Sequence, residues 1–228
     1  MSKKVFIGVG HGGSDPGAVA NGLKEKDLNL AIAKACCDEL IRHGVAAKMS
    51  RIVDENDPLT ERIKECNAYQ PDLALDIHIN AGGGDGAEVF YHYKGGESKE
   101  LAQNILDEVV AAGQNSRGLK VKLNEQGKDY FGFIRQTNAP AVIVECAFID
   151  NKKDISIIDT AAEQKAMGIA IAKGILKTLG IAYKEPDKAT ASKIGRLYRV
   201  QVGAYADKAN AEVMKTRLKQ AGFEAIIV

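Results

Sequence analysis

The sequence has no tryptophan, only five prolines and only four cysteines in its 228 residues. The cysteines are Cys36, Cys37, Cys66 and Cys146, and no two of them form a C-x-x-C pair. This spacing excludes a zinc knuckle and provides no disulfide framework. We therefore expect buried, reduced thiols that pack as small apolar side chains, in a protein made in a reducing compartment.

An excess of charge of one sign is also absent, because 31 Lys and Arg residues balance 30 Asp and Glu residues. The net charge of +1 does not indicate the excess of basic residues that is typical of proteins that bind a nucleic acid or an anionic membrane surface. Long hydrophobic runs are missing too. The first apolar run, after Lys3 and Lys4, has only about five residues, too few for a signal-peptide core or a bilayer span. We expect no nucleic-acid partner, no membrane insertion, and synthesis in the cytoplasm without a signal peptide.

Strand and helix patterns alternate over residues 1–182 and predict one α/β domain, with a twisted, mostly parallel or mixed sheet flanked by helices. The predicted strands are 5–9, 73–79, 87–93, a weaker one at 130–134, and a doubly buried one at 141–148. The predicted helices cover roughly residues 28–40, 57–69, 101–109 and 162–176.

Beyond this domain the apolar pattern stops, and residues 183–195 are predicted to be a polar linker. Residues 196–228 then show a strand, a helix and a strand, at 198–202, 213–221 and 223–228. A β-α-β unit below about 40 residues usually needs a disulfide, a metal or a partner for stability.

The first loop contains a G-x-G-x-x-G pattern, formed by Gly8, Gly10 and Gly13, that matches the dinucleotide-binding fingerprint. That fingerprint requires a helix to begin at the third glycine and to receive the pyrophosphate at its N-terminus. Here the sequence SDPG follows, and no helix is predicted for about ten residues. A nucleotide-dependent oxidoreductase is therefore disfavoured, and we assign no nucleotide-binding residues.

Four candidate site residues fall where strand ends and loops are predicted to converge: His11, Glu25, His78 and Glu145. The first three each have a purely structural alternative, as a loop residue, a helix N-terminal charge and a core histidine respectively. Glu145 is harder to explain in that way, because an unpaired carboxylate in a buried strand costs on the order of several kcal/mol.

Together the four residues fit a metal site. Two neutral imidazoles and one carboxylate make a three-ligand zinc centre whose fourth position stays open to water. A second carboxylate that is not a ligand can take a proton from that water and pass it to a leaving amine. The H-E-x-x-H motif of one large metalloprotease class is absent, as is the G-x-S-x-G motif of the serine hydrolases.

Three segments resemble the zinc N-acetylmuramoyl-L-alanine amidases of the amidase-3 family: GHGGSDPGAVANGLKEKDLNLAIA at 10–33, DIHINAGGG at 76–84 and VIVECAFIDN at 142–151. The similarity spans about residues 4 to 180. It implies that His11, Glu25 and His78 bind one zinc ion and that Glu145 is the catalytic acid/base. The implied reaction is hydrolysis of the amide bond between N-acetylmuramic acid and L-alanine in peptidoglycan. Arg62 matches a recurrent arginine of the family that we expect to position the helix or the site.

The sequence departs from the family pattern at two places. The family usually has Asp-Pro where this chain has Gly8-Val9, and it usually has Ser where this chain has Asp76. Neither change touches a predicted ligand. We expect consequences for substrate detail and local packing rather than for metal chemistry.

The segment 196–228 resembles one repeat of a SPOR-type wall-binding module, which is usually built from two β-α-β repeats. One repeat alone suggests that two chains each contribute a half, giving a homodimer. With no signal peptide, the chain resembles phage endolysins first and mother-cell autolysins second, both acting on the wall after release. A zinc peptidase acting on the stem peptide and a non-catalytic wall-binding protein are the alternatives.

Overall fold

The computed structural model describes residues 2–185, 203, 208–220 and 227. The chain divides into two compact units, residues 1–184 and 185–228. Among the residues described, no helix combines the length and the apolar character needed to cross a membrane.

Short strands and longer helices alternate in the first unit. Its strands are β1 Lys4–Val9, β2 Val19–Ala20, β3 Leu23–Lys24, β4 Ala46–Met49, β5 Leu73–Asn80, β6 Ala87–Tyr91, β7 Ser116–Lys120 and β8 Ala141–Phe148. Its helices are α1 Glu25–Arg42, α2 Leu59–Tyr69, α3 Glu97–Ala111, α4 Gly132–Gln136, α5 Lys152–Ile155 and α6 Ala161–Thr178.

Six of these strands form one mixed sheet in the order β4-β1-β5-β8-β6-β7. The first four are mutually parallel, whereas β6 runs antiparallel to β8 and parallel to β7. Strands β2 and β3 form a separate small hairpin immediately before α1. The predicted class, a mixed sheet flanked by helices, is confirmed.

The sheet has a strongly apolar face and a second face that carries the polar site. Helices α1, α3 and α6 pack together on the apolar face, over the side chains of Ile7, Ile77 and Val144. On the second face, a smaller cluster brings α2 and α4 against Phe6 and Ala141. Because side chains alternate along a strand, His78 and Glu145 project from this second face.

The structure differs from the predicted elements at residues 130–134 and at several short elements that were not predicted, among them β2, β3 and α5. Residues 130–134, predicted as a weak strand, instead contribute to the short helix α4, where Phe133 packs fully buried in the smaller cluster. Tertiary packing has overridden the strand preference of an aromatic-rich segment. Strands β4 and β7 were not predicted because they are short edge strands with few fully buried side chains. The four cysteines are free and buried, as predicted.

In the second unit the structure describes one helix, α7 Lys208–Gln220. It agrees with the helix predicted near 213–221. Its less exposed positions are Ala211, Met214 and Leu218, which lie on one helical face, whereas Val213 is 53% exposed. The predicted linker beyond Glu185 and the predicted strand at 198–202 lie outside the described residues, as does the strand at 223–228 apart from position 227.

Candidate metal centre and active site

His11 lies two residues beyond the end of β1, in an unusual backbone conformation. Its φ is 61°, in the left-handed region that few residues other than glycine adopt. The buried guanidinium of Arg51 supports this turn, since its Nε donates a hydrogen bond to the His11 carbonyl oxygen at 2.8 Å. A strained loop is thus held in place from within the core.

Glu25 is the first residue of α1, directly after the β2–β3 hairpin. Its carboxylate accepts hydrogen bonds from the backbone amides of Ala18 at 2.9 Å and Ile79 at 3.1 Å. The helix N-terminus also favours a negative charge at this position. These contacts hold a side chain that is only 4% exposed.

His78 lies on β5, and the neighbouring strand approaches it closely. A Cβ atom on Gly10 would lie 2.4 Å from His78 Cε1, so only glycine leaves room for the imidazole. Gly10 is not in a left-handed conformation, and space is therefore the reason for glycine here. One glycine of the G-x-G-x-x-G pattern therefore makes room for a histidine. No helix begins at the third glycine, as the dinucleotide-binding fingerprint requires, because helix α1 begins only at Glu25.

The structure brings His11, Glu25 and His78 together. His11 Nε2 lies 3.2 Å from Glu25 Oε2, and His78 Nδ1 lies 2.9 Å from Glu25 Oε1. One ligand atom from each of the three residues lies within 4.8 Å of the other two. Residues separated by up to 67 positions in the sequence thus present three donor atoms to one point in space.

The outward nitrogen of each imidazole also contacts a carboxylate. His11 Nδ1 lies 2.8 Å from Asp15 Oδ2, and His78 Nε2 lies 3.4 Å from Asp76 Oδ2. Carboxylates in this position fix the tautomer and orientation of a metal-binding histidine. Sequence reasoning did not assign this role to either aspartate.

The charges of the three residues are strongly coupled. Burial lowers the pKa of His78, but Asp76 and Glu25 outweigh burial and raise that pKa to about 10. A hydrogen bond to Glu25 raises the pKa of His11. Burial raises the pKa of Glu25, yet its contacts with the two histidines bring it well below the usual range. The site is therefore built to hold positive charge beside a carboxylate.

Glu145 lies on β8, directly opposite His78 on one side and Glu88 on the other. Its Oε2 atom is buried and has no hydrogen-bond partner in the part of the chain that the structure describes. Burial raises the pKa of Glu145 to about 7, and the nearby carboxylates of Glu25 and Glu88 act in the same direction. A carboxyl group with these properties can gain and lose a proton near neutral pH.

A buried ion-pair network lies beside His78. Arg62 Nη1 donates to both carboxylate oxygens of Asp76, at 3.1 and 2.9 Å, and Arg62 Nε donates to Asp57 at 3.0 Å. The sequence singled out Arg62 but gave no partner for it. Only the arrangement of α2 against β5 shows that it compensates the buried Asp76.

A cleft of about 570 Å³ opens beside the two histidines. Its lining includes the apolar residues Leu59, Phe131, Phe133 and Ile143. Polar groups from the first loop and from the Arg62 network also line it. The cleft can therefore accept an extended ligand that has both apolar and polar parts.

The donor set can be tested against the metal that the sequence suggested. Two imidazoles and one carboxylate, with space on one side, form the ligand set that zinc uses in many hydrolases. The unpartnered Oε2 of Glu145 leaves an acceptor free for water or substrate. These residues fit a single zinc ion.

Comparisons with known proteins identify the family of the chain. Residues 5–177 match the family model described as N-acetylmuramoyl-L-alanine amidase. Residues 171–228 match the SPOR domain model, whose match begins inside α6 and earlier than the predicted boundary at 196.

Individual relatives cover most of the chain. The sporulation-specific N-acetylmuramoyl-L-alanine amidase of Bacillus subtilis (strain 168) is 34% identical over 99% of this chain and 84% of its own length. The endolysin of Bacillus phage SPP1 is 37% identical over 85% of this chain and 74% of its own length. The solved structure of N-acetylmuramoyl-L-alanine amidase AmiC2 of Nostoc punctiforme superposes with a TM-score of 0.71 and 30% identity, covering 78% of this chain and 97% of that one.

Proposed function

The chain belongs to the N-acetylmuramoyl-L-alanine amidase family, and we propose that it uses one zinc ion to hydrolyse the amide bond between N-acetylmuramic acid and L-alanine in peptidoglycan. One observation carries the zinc dependence. The ligand atoms of His11, Glu25 and His78 gather within 4.8 Å of one another beside the buried, unpartnered carboxylate oxygen of Glu145.

In this proposal His11 Nε2, the Glu25 carboxylate and His78 Nδ1 hold the ion, because these are the atoms that face one another. Zinc held by these residues would supply a Lewis acid that polarises a carbonyl and lowers the pKa of water. The neighbouring aspartates, Asp15 and Asp76, keep the two imidazoles oriented.

Glu145 acts as the acid/base. Because the pKa of Glu145 is about 7, this carboxyl group is ionised in a substantial fraction of the protein molecules at neutral pH. The ionised form can take the proton of the attacking water. The same carboxyl group then donates that proton to the amide nitrogen as the carbon–nitrogen bond breaks. The free amine leaves on the peptide, and the carboxylate stays on the sugar.

Digestion of purified peptidoglycan with the zinc-loaded protein tests the bond that is cut. We expect new N-terminal alanine without new reducing sugar ends, loss of activity with a chelator, and recovery with added zinc. New amino termini other than alanine would identify a stem-peptide peptidase instead. Binding to the wall without any new end group would identify a non-catalytic wall-binding protein.

We further propose that the C-terminal unit binds the wall and pairs with a second copy of the chain. Support comes from the SPOR match and from α7, whose less exposed face contains Met214 and Leu218. Sedimentation of the full chain and of a truncation after Tyr183 tests this. We expect a dimer that becomes a monomer on truncation, and a monomeric full chain would contradict the pairing.

The biological setting that we propose is lysis of the cell wall, as a phage endolysin first and a mother-cell autolysin second. The relatives include an endolysin of a Bacillus phage and a sporulation-specific amidase of Bacillus subtilis. Expression in the cytoplasm of a bacterial host, with and without a co-expressed membrane pore, tests the endolysin alternative. We expect lysis only with the pore. Lysis without the pore would contradict release through it.

A further inference from the structure

We propose that Asp76 is a positioning residue for the metal site, and that Gly8 is glycine in order to make room for it. The inference rests on the proposed zinc site and deepens it. It concerns two positions, 8 and 76, that the structure brings into contact across β1 and β5.

Asp76 is a buried carboxylate with a fixed orientation. Asp76 is 1% exposed, and both of its carboxylate oxygens accept hydrogen bonds from Arg62 Nη1, at 3.1 and 2.9 Å. Arg62 is held in turn by the side chain of Asp57 at 3.0 Å and by the Asp57 carbonyl oxygen at 2.9 Å. The arginine therefore compensates the buried charge and holds the carboxylate through both of its oxygens.

The fixed carboxylate faces the outer nitrogen of a metal ligand. Asp76 Oδ2 lies 3.4 Å from His78 Nε2, while His78 Nδ1 faces Glu25 Oε1 at 2.9 Å. A proton on Nε2 that points at Asp76 leaves the lone pair of Nδ1 directed at the other ligands. The carboxylate therefore selects the tautomer of His78 that can bind an ion through Nδ1.

Gly8 explains how the chain accommodates a carboxylate at position 76. Gly8 and Asp76 are register partners on β1 and β5. A Cβ atom on Gly8 would lie 2.5 Å from Asp76 Oδ1 and 2.9 Å from Arg62 Cδ. Gly8 does not adopt a left-handed conformation, so space alone requires the glycine. The residues at 8 and 76 therefore depend on each other.

The first experiment measures zinc affinity by competition with a chromophoric chelator for the full chain and for Asp76→Asn. We expect the variant to bind zinc about 10- to 100-fold more weakly while its far-UV circular dichroism stays parental. The matched control is Asp72→Asn. Asp72 lies near the start of the same strand, and its carboxylate pairs with the exposed Lys3. The zinc affinity of this variant should equal that of the parent.

The outcomes separate the two proposals. A parental protein that binds no zinc would overturn the proposed function. A parental protein that binds zinc, together with an Asp76→Asn variant of equal affinity, would overturn only the positioning role. A purely structural role would lower the melting temperature of the zinc-free variant without changing its affinity for zinc.

A second experiment tests the dependence between the two positions with Gly8→Asp, Asp76→Ser and the double variant. We expect Gly8→Asp alone to lower the melting temperature of the zinc-free chain strongly, because the new side chain meets Asp76 and Arg62. The double variant should recover most of the stability, because serine at position 76 leaves room for the new side chain. Losses that simply add in the double variant would overturn the link between Gly8 and Asp76.

Discussion

His78 and Glu145 are register partners on the adjacent parallel strands β5 and β8. The sheet therefore sets the separation between a proposed metal ligand and the proposed acid/base, since both side chains project from the same face. No loop has to close to bring the two groups together. This arrangement lets metal binding and proton transfer be separated by mutation.

The first prediction concerns proton transfer. Glu145→Gln keeps the shape of the side chain but cannot accept a proton, so we expect at least a roughly 100-fold loss of kcat on peptidoglycan. Zinc affinity should stay parental because this residue is not a proposed ligand. Glu100→Gln, an exposed change in the first turn of α3, serves as the control for both measurements. A Glu145→Gln enzyme with parental turnover would contradict the assigned role.

The second prediction concerns the pH dependence of activity. Glu88 faces Glu145 across β6 and β8, and its charge contributes to the raised pKa of Glu145. Glu88→Gln removes that charge and keeps the shape of the side chain, so the Glu145 carboxylate becomes easier to ionise. The acid limb of the kcat/KM profile should therefore move to lower pH. An acid limb at the parental pH would show that Glu88 does not influence the group that titrates.

The third prediction concerns protons released on metal binding. The pKa of His78, raised to about 10, means that its imidazolium is favoured at neutral pH, whereas a histidine that binds zinc must be neutral. Contact with Glu25 also raises the pKa of His11. Zinc uptake at about pH 7 should thus release at least one proton, and apparent affinity should rise with pH. Calorimetry in two buffers of different ionisation enthalpy measures this number. A binding enthalpy that is the same in both buffers would contradict the prediction.

The fourth prediction concerns the glycine beneath the imidazole. In Gly10→Ala the new methyl group would overlap the His78 ring, and the ring must move. We expect roughly 10-fold weaker zinc binding and a loss of about 1–3 kcal/mol in the free energy of unfolding. Gly44→Asn is the control, because Gly44 has open space and a left-handed φ of 77° that asparagine tolerates. Equal zinc affinity in Gly10→Ala and the parent would contradict the packing argument.

The principal groups of the site could be predicted from the sequence because each lies next to a recognisable element. His11 follows a short apolar strand, His78 lies in a second one, and Glu145 interrupts a third. Carboxyl ends of parallel strands meet at one edge of a sheet, and this edge collects such residues. The α/β class follows from the same alternation of patterns.

The supporting groups could not be predicted because they depend on packing between distant segments. Arg51 donates to backbone carbonyls of β1 and of the first loop, and Arg62 meets Asp76 only when α2 lies against β5. No local sequence pattern predicts such contacts. The edge strands β4 and β7 were missed for a related reason, since their pairing is set by neighbours rather than by their own apolar alternation.

The position of β8 within the sheet also determines when the sheet can be completed during synthesis. All three proposed ligands lie on or before β5, whereas β8 follows β6 and β7 in the chain yet inserts between β5 and β6. While the ribosome is still making β8, β5 has only β1 beside it and β6 has only β7. The two halves of the sheet can join only when the strand bearing Glu145 emerges, so the face that carries the proposed ligands and the proposed acid/base is completed late in synthesis.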